Sequence, residues 1–261
     1  MMFRALVRMR CRGARGAVVC AWLILVIWWC LFCCAQPVRA GISTTGDVQP
    51  ANPATWTADT SGYIGKTGTG TMSITDASDV LGRAGFIGNG SGSTGEVTVD
   101  GPGSTWTNGD DEDEDDYVCI GYEGSGMLNI TNGGLVSIAE TLIIDASNER
   151  ESFVNMASGG MLAMFGEADE SLLGFLGLID GTDAIRYWDD SISGWADIKG
   201  ATYGQDYTLS YLTEGDLAGY TMLTVTAVPE PATLALLALA LPVLGSAAII
   251  RLRRGVKKLE W

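Results

Sequence analysis

Apolar and polar residues alternate along short stretches of this chain, and the stretches recur. Met72 and Ile74, Val97 and Val99, and Leu128 and Ile130 are each separated by one Ser, Thr or Asn. Alternation sends successive side chains to opposite faces, which predicts strands with one buried face. Flanking Gly, Asn and Asp supply the positive-φ corners that sharp bends require.

Each strand belongs to a longer repeat. Tyr63-Ile64-Gly65 leads into Gly68 to Asp76, Phe86-Ile87-Gly88 into Gly92 to Asp100, and Cys119-Ile120-Gly121 into Gly124 to Asn132. A fainter copy runs from Leu142-Ile143-Ile144 to Ser158-Gly159-Gly160-Met161-Leu162. Ile64 and Ile87 are 23 residues apart, as are Ile120 and Ile143, whereas Ile87 and Ile120 are 33 apart around a polar insertion, Gly109 to Asp116. A second echo sets Pro53 to Thr57 against Gly103 to Thr107, each around a tryptophan, Trp56 and Trp106.

A unit this short cannot bury its own apolar face, but stacked units merge those faces into one core. The expected fold class is all-β: a short parallel β-helix over 41–165, closed by a small β cap over 166–227. Its coils would stack ~4.8 Å apart, with Thr and Asn ladders running along the stack. A β-sandwich whose hairpins merely look alike is the alternative left open. Beyond Phe165 the texture changes. Leu172 to Ile179 is apolar and suits either a buried strand or a short helix closing the stack. Tyr207 to Leu212 and Thr221 to Thr226 alternate as strands. Trp188 and Trp195 lie near acids; they either fill the cap or stack on sugars.

Both ends are directed at a membrane. Residues 1–16 carry Arg4, Arg8, Arg10, Arg12 and Arg15 and no acid, followed by apolar Ala17 to Ala35 and by Val38-Arg39-Ala40. This predicts a signal peptide over 1–40 cut between Ala40 and Gly41, with an uncleaved signal anchor as the alternative because the apolar region is long. At the other end, Pro229-Glu230-Pro231 precedes 19 uncharged residues, Ala232 to Ile250. A helix crossing the ~30 Å hydrocarbon core needs about 20 such residues. Arg251, Arg253, Arg254, Lys257 and Lys258 then form a cytoplasmic stop.

The triplet, the span and the basic tail, in that order at the C-terminus, resemble the PEP-CTERM sorting signal of Gram-negative bacteria. The resemblance covers 228–261 and implies recognition of Pro229, Glu230 and Pro231 by exosortase, a membrane cysteine transpeptidase-like enzyme. The tail runs on to Trp261, longer than usual for that family. The Gly/Thr-rich repeats resemble those of autotransporter-like surface proteins. Together these resemblances imply an exported cell-surface or matrix protein. Its expected partners are the export machinery, the membrane, an exosortase-like enzyme and an extracellular polysaccharide.

Charge sharpens this picture. Residues 41–228 hold 29 of the 31 acids but only Lys66, Arg83, Arg150, Arg186 and Lys199, a net of −24. Such a surface repels nucleic acid and attracts divalent cations. The run Asp110 to Asp116 suits an exposed loop. It lacks the spaced ligands and the glycine of a formed calcium loop, so no cofactor is expected beyond weak, diffuse calcium binding. The chain has no histidine. That removes Ser-His-Asp and Cys-His nucleophile systems and most zinc chemistry. Cys119 is the one cysteine beyond residue 40. It suits a core position and rules out a disulfide within the exported body. The expected role is structural or adhesive and not enzymatic, with a carbohydrate-binding module and a β-helical polysaccharide hydrolase as alternatives.

Overall fold

The structure, a computed structural model, describes residues 41–109, 116–146, 152–181 and 184–226. The expected signal segment, the sorting triplet and the basic tail (Ala40, Pro229, Glu230, Pro231, Arg251, Arg253 and Arg254) lie outside the described residues, as do acids 110–115; Gly41 lies within them. No helix among the described residues is long and apolar enough to cross a membrane.

Two short strands come first, β1 (Gly41–Gly46) and β2 (Val48–Gln49). Then three strands recur four times. The first round is β3 (Gly62–Ile64), β4 (Thr69–Thr75) and β5 (Asp79–Gly82). The second is β6 (Gly85–Ile87), β7 (Thr94–Asp100) and β8 (Thr105–Asn108). The third is β9 (Tyr117–Ile120), β10 (Ser125–Thr131) and β11 (Leu135–Ile138). The fourth is β12 (Thr141–Ile144), β13 (Phe153–Ala157) and β14 (Met161–Phe165). A helix, α1 (Ala168–Gly181), follows. Four strands end the described chain: β15 (Ile185–Asp189), β16 (Gly194–Asp197), β17 (Tyr207–Tyr211) and β18 (Tyr220–Val225).

Three open sheets result, in the orders β12-β9-β6-β3-β2, β1-β4-β7-β10-β13-β15-β16 and β17-β18-β14-β11-β8-β5. Among β4 to β14, no strand pairs with its neighbour in the chain; each pairs in parallel with its counterpart one round away. Antiparallel pairing is confined to the two ends, where β1 meets β4, β2 meets β3, β15 meets β16, and β18 meets both β14 and β17. The protein is thus predominantly β, with mixed sheets in which parallel pairs dominate.

Register carries each inward residue onto its counterpart. Val48, Ile64, Ile87, Ile120 and Ile144 form one row. Met72, Val97, Leu128, Val154 and Ile185 form a second. Val80, Trp106, Val136 and Leu162 form a third. All but Ile144 are buried and belong to one core. Each such side chain contributes roughly 1.5–3 kcal/mol by leaving water.

The repeat is one residue out of step with the sequence expectation in the fourth round. Ile120 pairs with Ile144, while Ile143 pairs with Cys119 and is exposed. Leu142 takes the inward place instead, paired with the buried Val118. The start of the described chain also differs from a parallel coil: β1 and β2 run antiparallel to β4 and β3.

Glycine is required where the first strand of a round turns into the second. Gly65 and Gly88 have φ of 72° and 71°, and a Cβ on either would run into a backbone carbonyl of the next round, Thr94 or Ser125. The second corner is also left-handed but falls on Asp76, Asn132 and Ser158, with φ of 56°, 52° and 51°. Short polar side chains tolerate that region best.

Trp106 explains the echo with Trp56. A Cβ on Gly85 would lie 2.7 Å from the Trp106 ring, and the Trp56 ring lies against Gly62 in the same way. Each indole fills the space left by a first-strand glycine, although Trp56 follows a short 3-10 turn, Pro53–Thr55, and is not in a strand.

Asp116 corrects the expectation of seven solvated acids. It is 1% exposed, with its Cβ close to Gly109, where the chain re-enters the stack. Leu172 to Ile179 forms part of α1. Phe175 and Ile179 face the core, while Leu172, Leu173 and Leu176 are exposed. The helix thus covers the end of the stack with one face only, packing on β17 and β18.

Candidate functional site

The broadest surface is the outward face of the seven-stranded sheet. Its strands alternate, so a buried Leu128 leaves Asn129 half-buried on this face, while Asn155, in the same row, is itself buried at 3% exposure. Register then lines up Ser73, Thr98, Asn129, Asn155 and Arg186. Asn155 Nδ2 donates to Asn129 Oδ1 at 2.9 Å, and Asn129 Nδ2 donates to Glu96 Oε1 at 2.9 Å. One corner away, Asp100 Oδ1 accepts from Thr131 Oγ1 at 2.5 Å and from Asn132 Nδ2 at 2.6 Å. The expected polar ladders therefore exist, built more from amides and carboxylates than from threonines.

At the C-terminal edge this face becomes aromatic. The Arg186 guanidinium carbon lies 3.3 Å from the centroid of the Phe153 ring, close enough for cation–π attraction. Trp188 and Trp195 face each other across the β15–β16 hairpin, with ring centroids 5.4 Å apart and planes at 86°. Both are 37% exposed, so they do not fill a closed cap. Among the described residues the β15–β16 hairpin forms the edge of the sheet. Trp188 Nε1 donates to Asp190 Oδ1 at 3.0 Å, and Tyr187 Oη donates to Asp189 Oδ2 at 3.3 Å. Burial, followed by the charges of Asp189 and Asp206, pushes the Tyr187 phenol upward. The Asp189 carboxyl is lowered, first by its hydrogen bonds from Ser191. Tyr203 and Tyr207 make a second edge-to-face pair at 5.6 Å. The structure thus unites Trp188 and Trp195, while Tyr220 is buried beside Phe165 instead.

Two features escaped the sequence. Asp47 accepts the Thr67 and Gly68 backbone N–H groups at 2.7 and 2.9 Å and Gln49 Nε2 at 2.8 Å. Those donors, Thr67 first, hold its carboxyl at about 2. Gly41 begins β1 against the corner Thr75 to Ser78, with its N–H donating to Ser78 Oγ at 2.8 Å. Neither contact has a local signal, because the decisive partners lie 20 or more residues apart.

Cys119 is buried, and burial pushes its thiol up to about 11. Among the described residues no group of three or more His, Cys, Asp and Glu side chains is placed to hold a metal ion. Compared with known protein families, curated proteins and solved structures, the chain matches none.

Proposed function

We propose that this chain is an exported scaffold of a Gram-negative-type cell envelope. Its body is a short parallel β-helix with a structural or adhesive role and no catalytic one. One observation supports the reading above others: four three-strand rounds, paired in register, present rows of small polar side chains outward and apolar rows inward. Such a body is stiff along its axis and offers many equivalent weak contacts.

Delivery follows the sequence pattern at the two ends. A signal peptide ending at Ala40 carries the acidic body across the membrane. The apolar run 232–250 holds it there, with Arg251, Arg253 and Arg254 on the cytoplasmic side, until an exosortase-like enzyme acts at Pro229-Glu230-Pro231. Fractionation of the native host with intact-mass analysis tests this. The expected mature chain starts at Gly41, lies outside the cytosol and ends near Pro231. A cytosolic chain retaining Met1 would overturn the reading.

A second reading, a carbohydrate-binding module, draws on the exposed Trp188–Trp195 pair beside the amide row. Neutral polysaccharide would suit a face so poor in cations. Pull-down on insoluble glycans, lost in Trp188→Ala with Trp195→Ala, is the outcome it requires.

A further inference from the structure

The corner that receives Gly41 is built for more than a peptide nitrogen. Ser78 is buried and its Oγ already accepts the Gly41 N–H at 2.8 Å. Thr75 Oγ1 donates to the Gly41 carbonyl at 3.2 Å. A Cβ placed on Gly41 would collide with Thr75 Oγ1 and come within 3.0 Å of Asp76 Oδ2. Cβ and N are bonded to the same Cα, so the Asp76 carboxylate lies within about 5.5 Å of the Gly41 nitrogen. Asp76 is held there by its own backbone, at φ 56°, followed by Ala77 at φ 57°. Ala77 is fixed in turn, its N–H donating to Ser104 Oγ at 3.2 Å.

We infer that this corner is a receptor site for the α-ammonium group that export processing creates at Gly41. The inference rests on the export reading, which supplies the cut. An endopeptidase of the export machinery hydrolyses the Ala40–Gly41 amide. Water supplies hydroxyl to the Ala40 carbonyl carbon, and the C–N bond breaks. The products at neutral pH are the Ala40 carboxylate and the Gly41 ammonium. Before the cut, the nitrogen has one proton and no charge to offer. Afterwards it has three protons and a positive charge, beside Ser78 Oγ and within about 5.5 Å of the Asp76 carboxylate. Charge-assisted hydrogen bonds are roughly twice as strong as neutral ones.

The consequence falls on β1. Among the described residues this strand is the outermost of the seven-stranded sheet and pairs with β4 alone. An edge strand is the part of a sheet most prone to fray or to pair wrongly. The peptide N–H already ties this first residue to Ser78, and the ammonium of a processed molecule ties it more strongly. The collision at Gly41 adds selectivity. A chain with a side chain at that place seats its amine there only if the Thr75 hydroxyl turns aside.

The test uses the processed protein recovered from its native host. The α-amine is labelled with an amine-reactive reagent across a pH series, and the N-terminal peptide is quantified by mass spectrometry. An ordinary α-amine titrates at about 7.7–8.0. Here labelling at neutral pH is expected to be several-fold slower, with the titration displaced upward, and Asp76→Asn is expected to restore ordinary behaviour. Asn tolerates the left-handed backbone at that position, so the variant keeps the fold. Hydrogen exchange over 41–46 is expected to quicken in Asp76→Asn and in Gly41→Ala. A mature chain beginning at Gly41 whose amine titrates ordinarily and ignores Asp76→Asn overturns this inference alone. A mature chain beginning elsewhere overturns the export cut as well, and the two failures are separated by the mass of the N-terminal peptide.

Discussion

The four rounds from Gly62 to Phe165 and the part that follows, Gly166 to Thr226, bury their apolar groups by different means. In the rounds, register does the work: Ile64 sits on Ile87 and Ile87 on Ile120, so each unit is the lid of the one before it. The later part has no further round to lean on. It closes the stack with a helix, one more parallel strand and antiparallel hairpins. Closure is incomplete. Among the described residues, eight of the twelve exposed large hydrophobic side chains lie after Gly166, including Leu173 at 66% and Ile192 at 62%. Repetition solves the packing problem inside the array and recreates it at the end.

This contrast can be broken or sharpened by substitution. The largest effect is expected inside the rounds. Gly126→Val drives a Cβ into the Ile87 carbonyl and the Gly121 amide, groups that cannot move without losing ladder hydrogen bonds. A loss above about 4 kcal/mol, or no folded protein at all, is expected by circular dichroism and urea titration. Next is Phe175→Ala in α1, which empties a fully buried site. It should cost about 3–5 kcal/mol. The contrast predicts that the damage stays local: hydrogen exchange should rise across 168–226 while 62–138 stays protected. Uniform loss of protection would mean that the two regions unfold as one unit.

Smaller effects should come from the outer face. Asn129→Ala removes the middle of the Glu96–Asn129–Asn155 row, takes the acceptor from the buried Asn155 amide and should cost about 1–3 kcal/mol in chemical denaturation. The pH dependence has two windows. Cys119 is raised in the folded state to about 11. Its contribution is therefore complete below the unfolded value of about 8.5 and is lost as pH rises through the folded one. Cys119→Ala should flatten the alkaline limb. Asp47 is lowered to about 2. Its contribution is present above the unfolded value of about 3.9 and fades as pH falls toward the folded one, an effect that Asp47→Asn should abolish. Leu173→Ser should change stability by less than about 0.5 kcal/mol, because that side chain is already in water.

The alternation at Met72 and Ile74, the corner glycines and the isoleucine spacing make the strands and their repetition legible in the amino-acid sequence. Each of those signals is local or strictly periodic. The slip to Ile144 is not legible, because Leu142-Ile143-Ile144 is apolar throughout and only pairing with β9 decides which residues point inward. The burial of Asp116 is hidden by its six acidic neighbours. The helical state of Leu172 to Ile179 cannot be read locally, since an apolar run of that length suits either state and the end of the stack decides between them. The aromatic edge is half legible: Trp188 and Trp195 stand out by composition, but their meeting depends on a hairpin register that no short motif encodes. The contacts of Asp47 and of the Gly41 corner leave no trace in sequence, because each joins residues far apart in the chain.

The two longest connections within the rounds run between Asn108 and Tyr117 and between Ile144 and Phe153, and the strands on either side keep their pairing. A foreign peptide grafted into either connection should therefore be carried as a passenger on an undisturbed frame. A single residue inserted within a strand would instead turn the side chains beyond it in that strand to the opposite face.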